Sequence, residues 1–371
     1  MKIRQVLSVA IALLSGVAAG AQTAHVKNAQ VESRVVSGSL ESTMRGLVDA
    51  VASPEWVAYS VPMIASRDGR HISMCCGNWI SSDNGSYNCG PCSLESTKGS
   101  NMEVNNNSAS GGGTVKLEGP ADMFVFLRVA DHKIGRVVTL TEDCEADAGG
   151  LRVIWLTAVN PAESVALLSG VIATADIGDR SLREPADGAL RAIAMHADAS
   201  ADRALNSFTG LDKLEHLRSQ TAFWLGNARG AAGLETLKRM AKNDTSAKVR
   251  EQVTFALSQS REKDVMTELI RMAKEDQSAS VRGQALFWMA QRAGERAASA
   301  ITDAIANDPD TEVKKKAVFA LSQMPKDQGV PLMIQVASTN KNPAVRKQAM
   351  FWLGQSNDPR AIQFFEQILT H

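Results

Sequence analysis

A phenylalanine returns every 32 residues through the second half of the chain. The phenylalanines are Phe223, Phe255, Phe287, Phe319 and Phe351, in the related segments Phe-Trp-Leu-Gly, Phe-Ala-Leu-Ser and Phe-Trp-Met-Ala. A fixed period of this length is typical of solenoids, in which each repeat buries its apolar face only against its neighbours. The sequence therefore predicts a solenoid, with clear 32-residue repeats from about residue 205.

Each repeat contains two amphipathic segments. The segment with the phenylalanine carries further apolar columns at helical spacing, namely Leu217, Val249, Val281, Val313 and Val345, and then Leu225, Leu257, Met289, Leu321 and Leu353. The segment before it carries the columns Leu237, Leu269, Ile301, Met333 and Phe365, and Met240, Met272, Ala304, Val336 and Ile368. Such spacing indicates helices with one apolar face. We predict two helices per repeat, with the Phe column in the buried face of the second.

An acid or amide lies between the two helices, and a cation follows six residues later. The two columns are Asp212, Asp244, Asp276, Asp308 and Asn340, and Arg218, Arg250, Arg282, Lys314 and Arg346. The Asp, the Val-Arg pair and the apolar second helix resemble HEAT repeats, in particular the short repeats also found in phycobilin lyases and deoxyhypusine hydroxylases. The resemblance covers roughly residues 185–371. It implies that these columns form a hydrogen-bonded ladder between neighbouring repeats.

The alternative for these columns is a cationic stripe that binds an anionic partner. This interpretation is weaker because each cation has an acid or amide close by in sequence. The whole chain has 40 Lys and Arg against 40 Asp and Glu, so its formal net charge is +0. Nucleic-acid binding relies on a basic surface, and no nucleic-acid partner is expected.

Amides form two further columns on the second helix. They are Gln220, Gln252, Gln284, Lys316 and Gln348, and, seven residues on, Asn227, Gln259, Gln291, Gln323 and Gln355. Beside them Trp and Ala alternate, as Trp224, Ala256, Trp288, Ala320 and Trp352. The HEAT resemblance implies that second helices face the concave side, which would make a polar stripe flanked by aromatics. The alternation can serve interlocked packing, or the stripe can bind an extended protein partner.

The N-terminal 21 residues have the pattern of a secretory signal peptide. Lys2 and Arg4 precede an apolar run that ends in small residues at 19–21. We expect an exported bacterial protein, periplasmic or secreted, whose mature chain has no membrane span, because no later stretch approaches 18 apolar residues. Residues 22–52 are small and polar, with a weak helical pattern near 41–51, and are predicted to be a linker or a loosely attached arm.

Residues 53–160 have the texture of a β domain. Four short segments, at 56–61, 123–129, 135–140 and 151–156, are rich in β-branched and aromatic residues and predict strands. Between them, residues 93–114 are rich in Asn, Ser and Gly, and predict a disordered loop. We predict a small antiparallel β domain ahead of the helices.

All five cysteines fall in this domain: Cys75, Cys76, Cys89, Cys92 and Cys144. In an exported protein, cysteines indicate disulfides. Cys75 and Cys76 are adjacent, so each is expected to reach a distant partner rather than the other. Cys89-Gly-Pro-Cys92 also has the spacing of a thioredoxin active site, but its flanks predict loop rather than a helix start. A zinc site built from four thiolates is the remaining alternative.

No arrangement typical of catalysis is found. Deoxyhypusine hydroxylases hold iron with His-Glu pairs, and this chain contains no such pair. A lyase role has no support either, because the repeats carry no cysteine. Asp143, Glu145 and Asp147 alternate as in a calcium loop, but Ala148 and Ile154 replace the glycine and glutamate that an EF-hand needs, which favours an acidic turn. We expect no enzyme activity, no cofactor and no metal.

The sequence therefore predicts an α+β multidomain protein, with a small disulfide-linked β domain followed by a HEAT-like α-solenoid over residues 161–371. The predicted function is an exported scaffold or adaptor that binds another protein through its repeats. The rival hypothesis is a redox-active or metal-binding protein that uses Cys89 and Cys92.

Overall fold

The structure is a computed structural model that describes residues 26–65, 71–75, 78–82, 92–95, 121–142, 144–292 and 294–370. The strands are β1 (Val26–Lys27), β2 (Gln30–Val35), β3 (Glu55–Pro62), β4 (His71–Cys75), β5 (Asn78–Ser82), β6 (Cys92–Ser93), β7 (Asp122–Ala130), β8 (Lys133–Thr141), β9 (Ala146–Asp147) and β10 (Arg152–Thr157). The helices before the clear repeats are α1 (Leu40–Ala50), α2 (Pro161–Thr174), α3 (Glu184–Met195) and α4 (Ser200–Phe208). The repeat helices are α5 (Glu215–Ala228), α6 (Gly230–Asn243), α7 (Ala247–Gln259), α8 (Val265–Glu275), α9 (Ala279–Arg292), α10 (Glu295–Asn307), α11 (Thr311–Ser322), α12 (Lys326–Thr339), α13 (Pro343–Gln355) and α14 (Pro359–Thr370).

The fold class is confirmed, with a β region ahead of a helical repeat array. The main sheet has five strands in the order β2-β10-β3-β7-β8. The pairs β3-β7 and β7-β8 are antiparallel, as predicted, but β10 pairs in parallel with both β2 and β3. The sheet is therefore mixed rather than wholly antiparallel. The four predicted strand segments correspond to β3, β7, β8 and β10.

Both faces of this sheet are buried. In β3, Trp56 and Ala58 point to one face, and Val57 and Tyr59 to the other, and all four are fully buried. This explains why the strands read as continuous apolar runs instead of alternating with polar residues. One face packs against helices, and the other packs against the cysteine-rich segments.

The segment expected to be a linker or loose arm is an integral part of this domain over its described residues. β2 forms the edge strand of the main sheet, in register with β10. Helix α1 begins after Ser39, which caps it, and it buries Leu40, Met44 and Leu47 in the same core as the sheet. The backbone N–H of Leu40 also donates to Glu163 at 2.7 Å. Backbone pairing and three apolar anchors therefore fix a segment of polar composition.

Helices α2 and α3 cover the helical face of the sheet. Ser164 on α2 donates to the hydroxyl of buried Tyr59 at 3.0 Å. Gly188 on α3 lies so close to β8 that an added Cβ would stand 2.2 Å from the carbonyl oxygen of Val137. The close approach of helix and strand therefore requires glycine at this position.

The other face of the sheet is covered by a short sheet of β1, β9 and β6, and by a disulfide between Cys75 and Cys144. The start of the predicted loop is ordered, because Leu94 is fully buried and Glu95 accepts hydrogen bonds from Trp56 and Arg128, both at 2.9 Å. Loop residues 96–114 lie outside the described residues, as does the predicted signal peptide.

The solenoid continues directly from this domain. The backbone of β3 extends to Met63, which pairs with His196 at the end of α3, and Ala197 donates to the carbonyl of Pro62 at 2.9 Å. Arg229, at the start of α6, donates to the His196 carbonyl at 2.7 Å and to Asp202 at 2.7 Å. The sheet's helical face and the repeats share one continuous apolar core.

Candidate functional site

The helices that carry the Phe column lie side by side along the array in the order α5, α7, α9, α11 and α13. The predicted Leu217 and Leu225 columns are buried in every repeat. The other predicted columns, on α6, α8, α10, α12 and α14, are buried in most repeats and become exposed only near the end of the array, where Ile368 faces solvent. The register predicted from the 32-residue step is therefore the register of the fold.

The predicted ladder forms over three successive repeats. Arg250 is representative: its Nε and Nη2 donate to the two carboxylate oxygens of Asp276 at 2.7 and 2.9 Å, and its Nη1 donates to the Asp244 carbonyl at 2.8 Å. Arg218 pairs in the same way with Asp244, and Arg282 with Asp308. These hydrogen bonds raise the pKa of each arginine above its ordinary value. Each pair joins one repeat to the next.

The acid of each pair also orders its own turn. The Oδ1 atoms of Asp244, Asp276 and Asp308 accept the backbone N–H two residues later, at 2.8 to 2.9 Å. One carboxylate therefore binds a guanidinium and caps the entry to the following helix. The ladder has a structural role, as the resemblance implied.

The ladder stops at the fourth repeat, where the prediction was wrong. Lys314 donates to the carbonyl of Ala306 at 2.9 Å and does not reach Asn340. Arg346 donates to the Asn340 carbonyl at 2.8 Å, and Asp212 at the other end is exposed and pairs with Lys213. A lysine lacks the planar fork that makes two parallel bonds, and an amide offers only one acceptor oxygen.

The aromatic side chains of the second helices form a continuous row, which we call the aromatic row. Its members are Trp224, Phe223, Phe255, Trp288, Phe287, Phe319, Trp352 and Phe351, and successive ring centroids are 5.1, 6.1, 4.9, 4.9, 5.9, 4.9 and 5.0 Å apart. The phenylalanines stack almost parallel between repeats, at 18° for Phe223 with Phe255 and 6° for Phe287 with Phe319. The row crosses all five second helices.

Apart from Trp224, which is buried, the row lies at the surface rather than in the core, which corrects the prediction that the Phe column is buried. Phe223, Phe255, Phe287 and Phe319 are half-buried, and Phe351 is 54% exposed. The alternating residues behave as the packing interpretation expects: Ala256 and Ala320 are fully buried, and Trp288 packs on Phe255 of the preceding repeat. The row therefore forms a partly exposed aromatic surface along the array.

The two amide columns flank the aromatic row. On α9, Gln284, Phe287, Trp288 and Gln291 fall on one helix face and are all partly or fully exposed. In the first column Gln220, Gln252, Gln284 and Gln348 are half-buried and Lys316 is exposed; in the second, Asn227 is half-buried and Gln259, Gln291, Gln323 and Gln355 are exposed.

The amides differ in how they are satisfied. Asn227 donates to the Phe223 carbonyl at 2.9 Å, and Gln259 and Gln323 each donate to the preceding serine at 3.1 Å. Within the described part of the chain, the amides of Gln220, Gln252, Gln284 and Gln348 make no side-chain hydrogen bond.

The cysteine-rich face does not have the arrangement of a thioredoxin site in its described residues. Cys92 is 3% exposed and lies in β6, where its N–H donates to the Glu145 carbonyl at 2.7 Å. It is not at the start of a helix, where a thiol pKa is lowered. Cys75 reaches a distant partner, Cys144, as predicted. Cys76 and Cys89 lie outside the described residues.

The acidic segment near residue 145 is partly a strand rather than the predicted turn, because Asp147 lies in β9, which pairs with β1 and β6. Glu145 pairs with Lys27 at 2.8 Å, and the carboxylate of Asp147 accepts from Asn28 and from the N–H of Gly149. Asp143 is outside the described residues. No group of three His, Cys, Asp or Glu that could hold a metal occurs among the residues that the structure describes.

The fold is that of a helical-repeat protein with a β region ahead of the repeats. Residues 298–371 match the family model of HEAT repeats. No curated protein is significantly similar to the chain in sequence. Over the described residues, no helix is both long and apolar enough to span a membrane.

Several solved structures share similarity with the chain. Human deoxyhypusine hydroxylase is 14% identical, with a TM-score of 0.28, over 56% of this chain and 90% of that one. The complex of CpcE and CpcF of phycocyanin lyase from a Nostoc species is 17% identical, with a TM-score of 0.32, over 42% and 99%. Cex1p is 10% identical, with a TM-score of 0.37, over 57% and 44%.

Sequence reasoning missed two arginines that join neighbouring repeats, Arg229 and Arg292. Arg292 donates through Nη1 to three backbone carbonyls at the end of α7, those of Leu257, Ser258 and Ser260, at 3.3, 2.9 and 2.8 Å. Burial lowers its pKa below the ordinary value. The available signal was weak, because an arginine follows the tryptophan by four residues in one repeat and by five in another.

Proposed function

We propose that this protein is an exported scaffold that binds another protein through the aromatic row and the amide columns beside it. The observation that carries this proposal is the row of eight contacting rings over five successive second helices, beside amides on four of these helices that make no side-chain hydrogen bond within the described part of the chain. Aromatic side chains are enriched at protein interfaces, and their rings offer area at little entropic cost. Amides can pair with the backbone of an extended partner segment.

Export is part of the proposal. Its support is the signal-peptide pattern of the first 21 residues, together with the disulfide between Cys75 and Cys144, a bond that persists mainly in oxidising compartments. Expression of the full sequence in a bacterium should yield a mature chain that begins near residue 22. An uncleaved chain that stays in the cytoplasm would contradict export without touching the binding proposal.

A charge substitution tests the binding surface. Replacing Gln252, Gln284 and Gln323 together by glutamate should leave the fold intact, because Gln323 is exposed, Gln252 and Gln284 are only half-buried, and surface exchanges usually alter stability by less than about 0.5 kcal/mol each. The recovery of the partner from the exporting host should fall strongly. The matched control adds the same three charges to exposed positions of α8, α10 and α12, as Thr267→Glu, Ser299→Glu and Gln335→Glu. Equal loss in both variants would count against the aromatic row as the binding surface.

A further inference from the structure

The sequence pattern around the three tryptophans of the aromatic row is broken in the last repeat. Arg229 follows Trp224 by five residues, and Arg292 follows Trp288 by four, but Ser356 stands four residues after Trp352. The two arginines share a structural role. Arg229 donates to the carbonyls of Ala194 and His196, which end α3, and Arg292 to the carbonyls that end α7. Each guanidinium therefore binds the backbone carbonyls at the end of an earlier helix, which is α3 for Arg229 and α7 for Arg292. We call such a group of carbonyls a socket.

The socket of the last repeat is open. The carbonyls that bind Arg292 lie 35, 34 and 32 residues before it. The residues at the same distances before Ser356 are Leu321, Ser322 and Met324. Together with Ser356 they line one cleft of about 320 Å³. Trp352 forms another wall of this cleft. The cleft thus occupies the place that a guanidinium fills in the equivalent repeat.

The chemistry of the open socket suits a guanidinium. The last carbonyls of a helix have no intrahelical partner and carry the negative end of the helix dipole. Next to them, Pro325 has no N–H to donate. The filled socket shows that three backbone carbonyls hold an arginine in this geometry. An indole ring at the wall adds a surface on which a guanidinium stacks.

One residue of the cleft opposes a cation. Lys326, at the start of α12, lines it, whereas the equivalent position in the filled repeat is Glu262. The lysine is exposed, so its charge is screened by water and salt. The cleft is therefore a weaker cation site than the filled one, as befits a site that binds an arginine reversibly.

We propose that this cleft binds the guanidinium of an arginine side chain supplied by the partner protein. The cleft lies at the end of α11 and α13, where Gln323 and Gln355 of the second amide column line it. A partner segment that follows the aromatic row would thus place an arginine at its end. This proposal rests on the proposed scaffold function in one respect, because that function names a partner protein as the source of the arginine.

Nα-acetyl-arginine amide tests the socket without the partner. In the full protein, the indole N–H signal of Trp352, assigned with a Trp352→Phe variant, should shift saturably as this compound is added. Nα-acetyl-citrulline amide, which has the same shape without the charge, should leave it in place. Lys326→Glu should tighten binding by roughly fivefold, since it replaces a repulsive charge with an attractive one.

Two substitutions make the test decisive. Ser356→Arg should fill the cleft from within and abolish the shift. Arg292→Ser should open the second socket, so that the Trp288 indole signal also responds and the compound restores part of the lost melting temperature. Three results would each overturn the proposal. They are equal shifts with the citrulline compound, an unchanged Trp352 response in Ser356→Arg, and no response of Trp352 or Trp288 at compound concentrations that leave the protein folded. None of these results bears on whether the aromatic row binds a partner.

Discussion

Arg250 and Asp276, which lie 26 residues apart in sequence, make two parallel hydrogen bonds across the boundary between two repeats. Their side chains are only 4% and 5% exposed. Asp276→Asn should lower the free energy of unfolding by about 3 to 5 kcal/mol, because it leaves the buried arginine without its counter-charge. Chemical denaturation measures this loss.

The fourth repeat supplies the control for this prediction. Lys314→Met removes the cation at the equivalent position, where no pair forms, and should change stability by less than about 0.5 kcal/mol. Similar losses of unfolding free energy in both variants would mean that the Arg250–Asp276 pair stabilises the array no more than the unpaired position of the fourth repeat does.

The disulfide between Cys75 and Cys144 should stabilise the β domain substantially. The two cysteines are separated by 69 residues, and closing a loop of this length in the unfolded chain is worth about 4 kcal/mol on the chain-entropy model. The double variant Cys75→Ala, Cys144→Ala should therefore melt at a lower temperature than the oxidised protein. Peptide mapping of the non-reduced native protein provides the direct check, and a Cys144 that alkylates without reductant would contradict the pairing.

His196 should make the junction between sheet and repeats sensitive to acid. Its side chain is fully buried, and its Nε2 has no hydrogen-bond partner in the described part of the chain. Burial lowers the pKa of His196 to about 4, nearby Asp198 opposes this shift, and nearby Arg229 adds to it. The unfolded chain, with a histidine pKa near 6.5, binds the proton more readily than the folded one.

The contribution of His196 to stability is therefore complete above about pH 6.5 and is lost as the pH falls towards 4. The loss should reach about 3 kcal/mol. His196→Asn should flatten this part of the stability profile measured by denaturation between pH 7 and about 4. His132→Asn replaces an exposed histidine and serves as the matched control variant. Identical profiles for wild type and His196→Asn would count against this assignment.

Phe287 should matter less for stability than a buried neighbour on the same array. Its ring is half-buried and stacks on Phe319 at 5.9 Å, so Phe287→Ala should cost about 1 to 3 kcal/mol. Leu257→Ala, at a fully buried position of α7, should cost about 2 to 5 kcal/mol. If the Phe287 variant loses more stability than the Leu257 variant, the aromatic row is core rather than surface.

Much of the array follows from the sequence because its period is exact. The 32-residue step aligns Leu257 with Leu225 and Met289, and burial of one column member implies burial of the others. The step does not tell which of several apolar columns faces inward. The second helices carry apolar residues on most of their faces, so Phe255 could be assigned to the core although it lies at the surface.

The β domain was less predictable because its pairings are non-local. The four central strands are apolar enough to be recognised, but β2 is polar and all its residues are exposed. Backbone pairing with β10, 122 residues further along at Gln30 and Arg152, holds it in place, together with an ion pair between Glu32 and Arg152. The open socket near Ser356 was hidden for a related reason: the carbonyls that define it belong to the backbone, and any residue type supplies them.

Photo-crosslinking from the aromatic row tests the central claim most directly. A photoreactive amino acid placed at Gln284, on α9 and on the same helix face as Phe287, should crosslink one defined protein in the exporting host. The same amino acid at Ser299 on α10, an exposed position of a first helix, should not. A single crosslinked partner at Gln284, lost when Gln252 and Gln323 are changed to glutamate, is the predicted result. Equal crosslinking of the same partner from Ser299, or its persistence in the glutamate background, would contradict the account.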